Sequence, residues 1–124
     1  MSWIIKVELK PAHASIIKDA RYSGVQIGGV TKTPGGPYPV RKGDTIYVYA
    51  TVQNDGEQRG ALWAAIIDNT TGEILASKVD SVAPGDVLSI PTTPIVVYND
   101  MEIYIAAGVG TIIDVAKATD TFGC

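Results

Sequence analysis

A chain of 124 residues and 13.1 kDa accommodates one domain and little more. Apolar residues make up 46% of it, which excludes disorder as the main state, and no apolar run approaches the ~18 residues of a membrane span. A single cysteine and a single histidine exclude a disulfide framework and multi-cysteine or multi-histidine metal sites within the chain, and a net charge of −3 with scattered basic residues argues against nucleic acid.

The β-branched content sets the fold class. Fifteen Ile and thirteen Val stand against four Leu, with eleven Thr beside them. Such side chains are stiff at χ1 and suit a pleated sheet better than a helix. Thirteen Gly and seven Pro punctuate the pattern, so an all-β chain is expected.

In chain order, Trp3, Ile5, Val7 and Leu9 alternate with Ser2, Lys6, Glu8 and Lys10, interrupted only by Ile4. That predicts a half-buried strand, ended by Pro11. Residues 12–22 are compatible with a short helix, a strand or an irregular connection. Residues 23–43 hold six Gly and three Pro and predict a long exposed loop or edge excursion. Beyond the Lys42-Gly43-Asp44 turn, Ile46, Val48, Ala50 and Val52 form one face of a strand, with Tyr47 and Tyr49 on the other. Asn54-Asp55-Gly56 predicts a turn. Ala61 to Ile67 is apolar on both faces, as a central strand is, and Trp63 is expected between two sheets near Val48, Ala50, Ile103 and Ile105.

Asp68 to Glu73 reads as a hairpin connection and Ile74 to Val79 as the returning strand. Val87 to Ile90 follows the Pro84-Gly85-Asp86 turn, Pro91 and Pro94 mark a bend or edge, and Ile95 to Tyr98 is a further strand. Glu102 to Ala107 and Ile112 to Ala116 are expected to pair around Gly108-Val109-Gly110. Seven to eight strands at this spacing predict one antiparallel β-sandwich domain over residues 1–124.

Three of these segments, Lys42-Gly43-Asp44-Thr45, Thr51-Val52-Gln53-Asn54-Asp55-Gly56 and Val82-Ala83-Pro84-Gly85-Asp86, together resemble CARDB-type domains over about residues 40–115. The resemblance implies an immunoglobulin-like sandwich and a non-enzymatic adhesion or spacer role. In place of the family's Asn- and Glu-rich closing motif stands Ala116 to Cys124.

Chemistry-bearing residues are sparse. His13 lies between two alanines, and Asp44, Asp55, Asp86 and Asp100 all fall in turns, where a carboxylate bonds its own backbone. No catalytic set and no cofactor site is expected. Calcium has weak candidates in Asp68, Asn69 and Glu73, with Asp80 and Asp86 as further oxygen donors. Tyr38, Tyr47 and Tyr49 are candidates for a partner or glycan surface, with burial as the competing reading.

Charge is unevenly placed. Residues 1–42 carry seven Lys/Arg against two acids, whereas residues 43–124 carry three against eleven. A basic N-terminal strand and long loop therefore suit docking on an acidic body, in the same chain or a neighbouring one. The expected interface residues are Trp3, Ile5 and Val7 with Tyr38, Tyr47 and Tyr49.

Three readings follow. The first is a non-enzymatic structural protein that self-assembles, as a capsid, decoration, tail or filament subunit does, with copies of itself or other structural subunits as partners. The second is a CARDB-type surface module, and the third a carbohydrate-binding module. Met1 to Lys10 lacks the features of a secretory signal, so synthesis in the cytoplasm is expected, with a virion or an extracellular assembly as the destination. Cys124 is expected to be exposed, or else to bridge to a neighbouring subunit.

Overall fold

The computed structural model describes residues 3–123. Among them are nine strands: β1 (Ala14–Ile16), β2 (Gly24–Ile27), β3 (Val30–Lys32), β4 (Thr45–Asn54), β5 (Gly60–Asp68), β6 (Glu73–Val82), β7 (Val87–Val96), β8 (Ile103–Val109) and β9 (Asp120–Gly123). All pairings are antiparallel, in two sheets. In one sheet β7 lies along one edge of β4, while β1 and the β2–β3 hairpin share the other. The second sheet runs β6-β5-β8-β9. The chain crosses between sheets after β4, after β6 and again after β7, and the two sheets form the antiparallel β-sandwich expected from the strand spacing. The count exceeds that expectation because the N-terminal third contributes three short strands. No helix of the described residues is long and apolar enough to cross a membrane.

The alternation in β4 and β5 explains the core. Val48, Ala50 and Val52 face Leu62, Ala64 and Ile66, with Ile105 and Ala107 of β8 completing the layer, and all are buried. Trp63 is 1% exposed but does not lie between the sheets as expected. Its neighbours in β5 take the inward positions, so it points from the opposite face. There it packs with Ala65, Ile67 and Ala106 under Ile113, Val115 and Ala118. Its indole lies over Gly108, the facing residue of β8, where an added Cβ would stand 2.4 Å from the ring. Gly108 is thus a packing residue.

That cover corrects the C-terminal expectation. Ile112 to Ala116 does not form the last strand. Ile113 and Val115 fold over the Trp63 layer, and a 3-10 turn at Val115–Lys117 is capped by the Asp114 carboxylate, which accepts from Ala116 N at 3.2 Å. The partner of β8 is β9, with Ile105 opposite Phe122. The expectation for Cys124 lies outside the described residues.

Three more segments differ from the sequence reading. Residues 14–16 form a strand and 19–23 a turn, which settles the ambiguous stretch against a helix. Residues 24–32 form an edge hairpin on Gly28-Gly29, both at positive φ, so only residues 33–42 remain as loop. Pro91 and Pro94 do not divide β7, which runs past both with a register shift opposite Val48 to Ala50. An edge strand tolerates prolines because its outer side has no ladder to complete.

The largest departure is at the N-terminus. Residues 3–13 belong to no sheet, and the half-buried strand expected at Trp3 to Leu9 is an exposed extension. Alternation makes a segment suited to a sheet, but no strand among the described residues pairs with this one.

Candidate assembly surface

The root of the extension is firmly held. Asn54, fully buried at the end of β4, uses its whole amide: Oδ1 accepts from His13 N (3.2 Å) and Gly56 N (3.0 Å), and Nδ2 donates to Gln58 O and Val82 O (both 2.9 Å). This one side chain ties the N-terminal segment, the 54–58 turn and the end of β6 together. Next to it, Asp55 N donates to His13 O and Glu57 N to Lys10 O, both at 3.0 Å, and Gln58 Nε2 donates to Leu9 O at 2.9 Å. Gly56 lies so close to the Pro11 backbone that a Cβ would come within 2.0 Å of its carbonyl oxygen. Asn54-Asp55-Gly56 therefore does more than turn the chain, and its mate, a segment more than forty residues earlier, carries no mark in the sequence.

Asp55 closes this joint. Ser15 Oγ donates to Oδ2 at 2.8 Å, and His13 Nδ1 lies 2.6 Å from Oδ1. Burial works to raise the carboxyl pKa, but the bonds from Ser15 and His13 outweigh it and hold Asp55 below the usual value. The order of groups matters chemically. The carboxylate sits between serine and histidine, and no hydrogen bond joins the imidazole to the serine hydroxyl as a Ser–His pair would require. The trio acts as a clamp on the N-terminal segment.

Beyond Leu9 toward the N-terminus no hydrogen bond to the body is found among the described residues, and the apolar side chains stand in solvent. Trp3 is 78% exposed and Val7 88%, with Ile4, Ile5 and Leu9 also exposed. The total surface is 7731 Å², against roughly 6,400 Å² expected of a compact protein of this mass. The excess, about 1,300 Å², exceeds the ~800 Å² that each partner contributes to a standard interface.

At the opposite pole, between the start of β4, the 33–42 loop and the 97–102 connection, lies a groove of about 840 Å³. Val25, Val40, Ile46, Val97, Met101 and Ile103 give it an apolar floor, and Lys32, Lys42, Asp100 and Glu102 stand among its lining residues. Tyr38 also lines it, with its hydroxyl donating to Thr33 O (2.7 Å) and Lys32 Nζ 5.4 Å above its ring. Of these, Val25, Ile46, Val97 and Ile103 are buried core residues, while Val40 and Met101 are half-buried. In the sequence these residues look like ordinary core, and nothing distinguishes the groove.

The other sequence candidates fare differently. Tyr49 is half-buried, and its hydroxyl donates to Ala20 O. Tyr47 remains exposed on the outer face of β4 and does not line the groove with Tyr38. The three tyrosines do not form one platform. Asp68 is buried, and its carboxylate accepts from the amide and hydroxyl of Thr70 within its own turn. Burial again acts to raise its pKa, and the Thr70 bonds overcome it. No group of three or more His, Cys, Asp or Glu side chains placed to hold a metal ion occurs among the described residues. Asp80 lies toward the far end of β6 from Glu73, opposite Leu62.

Besides the His13–Asp55 contact, one Lys/Arg–carboxylate pair joins the basic N-terminal third to the acidic body among the described residues. Lys18 Nζ lies 2.9 Å from Asp120 Oδ1, while Asp120 Oδ2 accepts from Ile16 N at 2.9 Å. Burial would raise the Asp120 pKa, but these bonds, Lys18 first, keep it low. Lys6 and Lys10 on the extension form no ion pair among the described residues.

No family model, curated protein or solved structure matches this chain.

Proposed function

We propose that this protein is a non-enzymatic structural subunit that assembles through its N-terminal extension, as a virion or filament subunit does. The observation that carries the reading is the exposed run Trp3-Ile4-Ile5 with Val7 and Leu9, extended and unpaired on a root that is firmly bonded. Large apolar surface without cover marks a contact with another macromolecule. The non-enzymatic character implied by the CARDB resemblance accords with it.

The magnitude of the contact can be bounded. Burying Trp3, Ile5, Val7 and Leu9 contributes about 1.5–3 kcal/mol each, or about 6–12 kcal/mol together. Association costs on the order of 4–15 kcal/mol in lost freedom. Side chains alone thus nearly break even, and backbone pairing or repetition along an assembly must supply the surplus. Assembly is accordingly concentration-dependent. Electron microscopy of the purified protein across a concentration series, with light-scattering mass, tests this: filaments, shells or closed oligomers are expected, and a monomer at every concentration overturns it.

A further inference from the structure

We infer that the groove at the opposite pole receives the extension of a second copy, so that subunits join head to tail. The inference rests on the assembly reading above and adds the acceptor and the direction of the contact. Its first support is reach. The root is bonded at Leu9 and Lys10 to the turn that follows β4, while the groove surrounds the residues at the start of β4. Nine residue steps at ~3.3 Å put about 30 Å between the ends of β4. From Leu9, Trp3 travels at most about 21 Å, because an extended chain gains no more than ~3.5 Å per residue. The extension is too short for its own groove and requires another molecule's.

The second support is fit. The extension offers a strand with Ile5, Val7 and Leu9 on one face and Lys6, Glu8 and Lys10 on the other. The groove offers an apolar floor and, in its lining, both acidic (Asp100, Glu102) and basic (Lys32, Lys42) partners for that polar face. The volume of about 840 Å³ is that of a full ligand site, enough for several side chains. The competing acceptor is the free edge of β6, ten residues long, which could add the extension as a fifth strand. Its residues from Ser77 to Ser81 are all exposed and include Lys78 and Asp80, so that edge offers no comparable apolar recess.

Donor and acceptor at opposite poles make a heterologous contact, which propagates as a filament or closes as a ring. Disulfide trapping in a Cys124→Ser background tests the assignment. A chain carrying both Ile5→Cys and Met101→Cys is expected to give a ladder of covalent oligomers under mild oxidation, and mixing the two single variants a dimer band. Ile5→Cys mixed with Ser77→Cys, on the β6 edge, should give none above background. Trapping to Ser77→Cys without trapping to Met101→Cys overturns the groove while sparing the assembly reading. If the wild-type chain is monomeric at every concentration and no variant is trapped, both readings fall.

Discussion

Replacing Asn54 by alanine removes a side chain that satisfies four backbone groups on three segments. Two of them, Gly56 N and Val82 O, are bonded in buried surroundings, while the bonds to His13 N and Gln58 O are partly buried and water can replace them. Leaving a buried donor or acceptor unpaired costs about 1–3 kcal/mol, so Asn54→Ala should lose about 2–6 kcal/mol. With a urea m-value of ~2 kcal/mol/M, the unfolding midpoint falls by about 1–3 M. Asn54→Asp is the informative companion. It keeps an acceptor toward His13 N and Gly56 N but turns a second oxygen toward the Gln58 and Val82 carbonyls, and should be at least as damaging at neutral pH. Urea unfolding followed by tryptophan fluorescence and circular dichroism measures both. A loss below about 0.5 kcal/mol for Asn54→Ala, within the range of ordinary surface changes, would refute the claim that this amide joins the three segments.

Trp63→Ala should destabilise by about 3–5 kcal/mol, and Gly108→Ala by about 1–3 kcal/mol because its Cβ meets the indole, both read by chemical denaturation. Asp120 has a folded-state pKa below its unfolded value of ~3.9, so its contribution is present above that value and disappears as pH falls through the folded pKa. Unfolding measured from pH 6 to pH 2 should therefore show wild type converging on Asp120→Asn, and a constant difference would contradict the assignment. Raising salt should slow association in stopped-flow light scattering, because Lys6 and Lys10 approach an acidic body through solvent and are screened beyond ~8 Å at physiological ionic strength. A rate independent of salt removes steering by these charges.

What the sequence made legible was local and periodic. The alternation of Ile46 to Val52 marks β4 as a strand, the two-sided apolarity of Ala61 to Ile67 marks β5 as a central one, and both form there. The same two-sided signal did not say which face of β5 meets the other sheet, so Trp63 was expected between the sheets, whereas it lies on the outer face under Ile113, Val115 and Ala118. Proline content suggested a break in β7, because it does not reveal that the strand lies at an edge. Trp3, Ile5 and Val7 were visible as a sheet-forming face. Their isolation was not, since the absence of a partner is a property of the whole topology. Residues of the proposed acceptor, such as Ile46, Val97 and Ile103, were legible only as core, because they are buried core residues that also line the groove.

Sedimentation velocity on the full chain and on Ile5→Asp, across the same concentration series, tests the assembly claim most directly. Ile5 is exposed in the isolated subunit, so a charge there leaves the fold intact by circular dichroism. Wild type is expected to shift to larger species as concentration rises while Ile5→Asp stays monomeric. Identical distributions for the two proteins would contradict assembly through the N-terminal extension.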